Sequence, residues 1–198
     1  VNIANLSNKP MEVGFMDVSD NLSIKVTPNP VPPRGTAELE FTVSASREKW
    51  GRNDYWATPV VNGQAVKASN GDSRIGFWAF TKENFSGLTD EEKAKGSRPM
   101  FDASTYSFGK IKAGETVHAT FEFTNKGSST FCVYKVDVNA CKWSHSDIPA
   151  VAPGEKAKFR VHLDTSKLPK GEALAIVTLT TNSPHRPIVN LFISGWIE

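Results

Sequence analysis

The chain has 198 residues, 39% hydrophobic and 22% charged, with a net charge of +2 at pH 7. That length suits two domains of about 100 residues, each with its own core. The small charge excludes the electrostatic footprint of a nucleic-acid or anionic-membrane binder, and no run approaches the roughly 18 to 20 apolar residues that span a bilayer.

In chain order, short β-branched or aromatic stretches bounded by Gly, Pro, Asn or Asp predict strands at 1–4, 11–15, 22–26, 36–43, 55–60 and 74–80. Residues 62–72 (NGQAVKASNGD) read as an extended hairpin loop. From 82 to 98 the text turns polar and helix-favouring, with Thr89 as N-cap, acidic residues behind it, and Lys93 and Lys95 before Gly96. One short helix in a connector is expected there. Strand patterns resume at 101–108, turn at 112–115, and continue at 118–123, 133–138, 156–163, 173–180 and 187–193. About seven short strands per unit, with frequent turns, indicate an immunoglobulin-like sandwich.

The two halves repeat at an offset of 120 residues: Asn5 matches Asn125, Val31 and Pro33 match Val151 and Pro153, Gly51 matches Gly171, and Asn62 matches Asn182. Core-type positions agree as well, with Leu39 over Phe159 and Val43 over Leu163. The expected fold is therefore all-β: two tandem immunoglobulin-like β-sandwich domains with a short helical connector. Their bounds are 1–81, 82–98 for the connector, and 99–198. Strand parity should place Leu39, Phe41 and Val43 on the same buried face as Phe159, Val161 and Leu163. Val1 aligns with Phe121, so the first domain lacks about twenty residues that give the second its opening strand. Without an initiator Met or a signal-peptide pattern, Val1 suggests a mature or trimmed chain.

The second copy reads Tyr106-Ser107-Phe108-Gly109-Lys110-Ile111, then Ala113-Gly114-Glu115-Thr116-Val117, Phe123-Thr124-Asn125-Lys126-Gly127, Val151-Ala152-Pro153-Gly154-Glu155 and Thr180-Thr181-Asn182-Ser183. This order and spacing resembles the immunoglobulin-like repeats of unknown function found in secreted and lipid-anchored proteins of Bacteroides and its relatives, which are related in fold to major-sperm-protein and hydin-type sandwiches. Many of those repeats carry Cys-Gly-Cys-Thr where this chain has Cys141-Lys142-Trp143-Ser144. The resemblance implies an exported, periplasmic or cell-surface bacterial protein without known catalytic residues, compatible with a lipid anchor upstream of Val1.

Residues 133–138 form an extended strand between Cys132 and Cys141, and at about 3.3 Å per residue this exceeds the roughly 7 Å limit for a bridged Cα pair. The two are expected not to be bonded, and Cys132, on the parity of Tyr134, Val136 and Val138, is expected to be a buried free thiol. The histidines at 118, 145, 162 and 185 show no metal-ligand spacing, with His118 and His162 on strands facing solvent. No nucleophile motif, phosphate-cradling glycine pattern or cofactor motif is present. An enzyme is not expected.

Trp50, Tyr55, Trp56, Phe77 and Trp78 crowd the first copy. Adjacent residues on a strand face opposite ways, so one of Tyr55 and Trp56, and one of Phe77 and Trp78, should point outward. Exposed aromatics on a sheet face commonly mark a partner surface. These five residues form the candidate binding surface of a non-catalytic module, whose partner is a protein or a glycan. Three readings stand: surface recognition of a protein, a carbohydrate-binding module using the tryptophans, and a hydrolase with an interdomain site.

Overall fold

A computed structural model of the chain describes residues 1–44, 49–67, 71, 73–140 and 142–198. The chain divides into two compact units, Val1–Thr81 and Lys82–Glu198.

The first unit contains β1 (Asn2–Ala4), β2 (Val13–Met16), β3 (Leu22–Thr27), β4 (Thr36–Val43), β5 (Gly51–Val61), β6 (Gln64–Ala65) and β7 (Ile75–Thr81). One sheet runs β1-β4-β3; the other runs β2-β5-β6, with β7 also on β5. Along β4 the side chains alternate as a half-buried strand must: Ala37 and Leu39 are buried, Phe41 and Val43 half-buried, and Glu38, Glu40 and Thr42 exposed. Asn62 and Gly63, both at positive φ, close the β5–β6 hairpin, the backbone that a two-residue mirror-type turn demands and that Asn-Gly readily adopts. The loop expected over 62–72 thus begins with this hairpin; 68–70 and 72 lie outside the described residues.

The second unit contains α1 (Asp90–Ala94), β8 (Pro99–Phe101), β9 (Thr105–Ile111), β10 (Thr116–Asn125), β11 (Val133–Val138), β12 (Trp143–His145), β13 (Lys156–Asp164), β14 (Gly171–Thr181) and β15 (Ile188–Ile197). Its sheets run β12-β13-β10-β8 and β11-β14-β15-β9, with β9 parallel to β15. Lettered A, A′, B, C, D, E, F and G in chain order, the strands form sheets D-E-B-A and C-F-G-A′, the immunoglobulin arrangement with a divided first strand. Phe121, Phe159, Val161 and Leu163 from one sheet share a core with Val177, Leu179, Val189, Leu191 and Ile193 from the other. Phe159, Val161 and Leu163 keep the inward parity of Leu39, Phe41 and Val43. Phe101 on β8 stacks on Phe123 with ring centroids 5.0 Å apart.

The short helix forms where its caps are written. Thr89 Oγ1 accepts from the Glu92 backbone N–H, and Glu92 Oε2 accepts from the Thr89 backbone N–H.

Hydrogen bonds recur at the 120-residue offset. Asn5 and Asn125, both buried, donate from Nδ2 to the carbonyls of Val31 and Val151 respectively. Their backbone N–H groups donate to Gly35 and Glu155. Asn62 and Asn182 accept at Oδ1 from the backbone of Glu12 and Cys132. The edges differ. β10 is flanked by β13 and β8, whereas β1, among the described residues, pairs with β4 alone.

Cys132 corrects one expectation, being half-buried rather than buried. The β11–β14 register shifts between Val133 and Lys135, and this bulge resets the alternation. Phe131 and Val133 turn toward the core before it, Val136 and Val138 after it, while Tyr134 turns outward and donates its hydroxyl to Glu83 at 2.6 Å. Cys141, the other half of the expected unbonded pair, lies outside the described residues.

Candidate functional site

The candidate aromatics are sorted by one strand pair. β5 and β7 run antiparallel, with Asp54 opposite Trp78, Tyr55 opposite Phe77 and Trp56 opposite Gly76. Tyr55 is buried and stacks on Phe77 at 5.4 Å, and Phe77 meets Phe41 at 5.3 Å. These rings belong to the interior. Their neighbours take the other side: Trp56 is 44% exposed and Trp78 60%. Trp50 stands half-buried just ahead of β5.

Trp56 and Trp78 are diagonal neighbours on this outer face, a relationship that sets residues roughly 7–8 Å apart in an antiparallel pair, within reach of aromatic side chains. Gly76, directly across from Trp56, carries no side chain, so the surface between the indoles stays low. The result is a shallow depression lined by Arg52, Asp54, Trp56, Arg74, Gly76 and Trp78. The Arg52 guanidinium carbon lies 5.3 Å from the Trp78 ring centroid, a cation–π contact, while Nη2 of Arg52 lies 2.9 Å from Oδ1 of Asp54. Ser19 holds the Trp56 backbone: the Trp56 backbone N–H donates to Ser19 Oγ at 2.8 Å, and the Ser19 backbone N–H donates to the Trp56 carbonyl at 2.9 Å. The face therefore offers aromatic planes, a cation and a carboxylate together, the groups of a non-covalent recognition surface.

Among the described residues, the two carboxylates with shifted acidity are engaged elsewhere. Hydrogen bonds from the Thr89 backbone and hydroxyl hold the Glu92 carboxyl below the usual range. Hydrogen bonds from Ser166, with the Lys142 ammonium adding to them, lower Asp164 to about 2. Both are ionised at neutral pH and locked in local caps, so neither is poised to deliver a proton. Among the described residues no group of three or more His, Cys, Asp or Glu converges as a metal cage.

Sequence reasoning missed one pairing. His118 on β10 and His162 on β13, 44 positions apart, stand directly opposite on the outer face, Nδ1 to Nδ1 at 2.5 Å. Linear spacing hides such a pair; the pairing of strands B and E in this sandwich is what could have disclosed it. His145 instead stacks on Trp143 with centroids 5.9 Å apart, and His185 is exposed in the β14–β15 loop.

Residues 100–197 match the model of a family described as "Protein of unknown function (DUF1573)". No curated protein matches the chain. Among solved structures, a protein of unknown function from Porphyromonas gingivalis W83 is similar to it with a TM-score of 0.65 and 15% identity, over 98% of this chain and 87% of that one. An ASH/PapD-like domain of human CEP192 is similar with a TM-score of 0.44 and 13% identity, over 60% of this chain and 98% of that one. No helix among the described residues is long and apolar enough to cross a membrane.

Proposed function

We propose that this protein is a non-catalytic extracytoplasmic binding module of two tandem immunoglobulin-like domains, and that it meets its partner through the outer face of β5 and β7. The observation that carries the reading is the simultaneous exposure of Trp56 and Trp78 on that face, beside the Arg52–Asp54 pair. Sandwiches of this class serve as scaffolds whose activity resides in surfaces grafted onto them. The match of residues 100–197 to a family of unknown function agrees with a binding or structural role. The exported location rests on the resemblance to secreted and lipid-anchored repeats, and cell fractionation tests it: the protein should be recovered outside the cytoplasm.

A protein partner is the first reading. A glycan is the second, favoured by Gly76, which leaves the ground between the two indoles open to a flat ring. Pull-down and glycan-array binding of the 198-residue chain, compared with Trp56→Ala and Trp78→Ala, tests both. Each substitution should weaken capture at least tenfold, in line with a hot-spot aromatic costing about 2 kcal/mol, while the melting temperature holds. Capture that survives both substitutions would place the binding surface elsewhere.

A further inference from the structure

We propose that His118 and His162 chelate one divalent transition-metal ion of the imidazole-preferring class, Cu2+, Ni2+ or Zn2+. The pair lies on the outer face of the β12-β13-β10-β8 sheet, in the second unit and independent of the aromatic face of the first. The two Nδ1 atoms meet at 2.5 Å, a hydrogen-bond distance, with the rings nearly perpendicular at 79°. That convergence comes within about half an ångström of the bite of a two-nitrogen chelate. Metal–imidazole bonds of about 2.0–2.1 Å separate two cis nitrogens by roughly 3 Å, so a small rotation of two side chains admits the ion.

The backbone has already fixed the ligand positions. His118 and His162 are register partners in the long β10–β13 ladder, so neither strand must move. Ser144, on β12 opposite His162, sets a hydroxyl beside the pair, and the exposed face leaves the remaining positions to water. The other polar groups of this patch are Thr116 and Thr120 on β10, and Arg160 and Asp164 on β13. Asp164 is ionised and paired with Lys142 at 3.3 Å. Arg160 opposes a cation, so affinity must come from the imidazole bonds themselves. Those bonds favour Cu2+ over Ni2+ and Zn2+.

The test is titration of the 198-residue chain with CuCl2 and, separately, ZnCl2, read by calorimetry, with electron paramagnetic resonance on the copper form. One ion should bind per chain, and the copper spectrum should show coordination by two imidazole nitrogens. His118→Gln and His162→Gln should each weaken that binding at least tenfold, whereas His145→Gln and His185→Gln leave it unchanged. Resonance on the unaltered chain needs no variant to fold, and zinc should raise the melting temperature of the unaltered chain but not of the double variant. Binding that persists in His118→Gln, a single-nitrogen copper spectrum, or no saturable binding below millimolar ion overturns the proposal.

Discussion

Asn125 donates from Nδ2 to the carbonyl of Val151 at 2.9 Å, tying the end of β10 to a segment 26 residues further along the chain. The same side chain donates to Ser129 and accepts from the backbone N–H of Arg98 and Gly127, so a fully buried amide is satisfied on every side. Asn5 repeats the pattern, donating to Lys9, Val31 and Pro32 and accepting from Ser7.

Asn125→Ala should therefore destabilise the chain by about 2–4 kcal/mol, because it leaves buried backbone groups unpaired rather than simply removing one bond. Asn125→Asp should be as harmful, since a carboxylate oxygen would then face two carbonyl oxygens. Urea unfolding monitored by fluorescence measures both, and a loss under about 0.5 kcal/mol would refute this account of the corner.

Tyr55 and Trp56, adjacent in sequence, should answer oppositely to truncation. Tyr55→Ala opens a cavity beside Phe77 and should cost about 3–5 kcal/mol. Trp56→Ala removes a ring already 44% exposed and should cost much less. Equal losses in paired denaturation curves would mean that the inside and outside of β5 have been exchanged.

Gly195 sits where β15 meets β9, and a Cβ there would overlap the Phe108 ring and crowd the Gly109 carbonyl. Gly195→Ala should cost about 1–3 kcal/mol through overpacking. Phe108→Leu in the same background should recover part of the loss, a rescue readable in thermal melts.

The depressed acidity of Asp164 gives a signed pH effect. Its folded value, about 2, lies below the reference of 3.8, so its contribution is complete above pH 3.8 and vanishes as pH falls through about 2. Asp164→Asn should be less stable than the parent at pH 7, and most of that difference should be gone near pH 2. Chemical denaturation midpoints at the two pH values decide this.

Hydrogen exchange should separate the two equivalent strands. Asn5 N–H donates to Gly35 and Leu39 N–H to Val1, so the odd residues of β1 bond β4 and the Ala4 N–H faces the open edge. Its counterpart Thr124 faces β8, opposite Met100. In the 198-residue chain Ala4 should exchange at least a hundredfold faster than Thr124; comparable protection would show that something covers β1.

Much of this architecture is legible in the residues because its causes are local. Thr89 and Glu92 spell a capping box within four positions, and α1 begins there. Alternation along β4 and β13 told inside from outside. The same alternation required one of Tyr55 and Trp56 to face out, but which one depends on Phe77 and Phe41 waiting beneath Tyr55, contacts that no window of sequence contains. The half-buried position of Cys132 is not legible in the residues, because a bulge is a relationship between β11 and β14, not a property of either strand. His118 and His162 met only once the ladder was in register.

The self-contained closure of α1 makes it an attachment point. None of its residues is buried, and its N-terminal caps are supplied from within the segment by Thr89 and Glu92. A cysteine-reactive dye on Glu91→Cys, with Cys132 and Cys141 replaced by serine so that the label is unique, or an affinity handle after Ala94, would ride on this exposed turn with little to disturb, provided it stops short of Gly96, where any added Cβ meets Pro184. The protein carries its own permissive labelling position, on a helix that includes none of the aromatic or imidazole residues whose ligands such a probe would help to find.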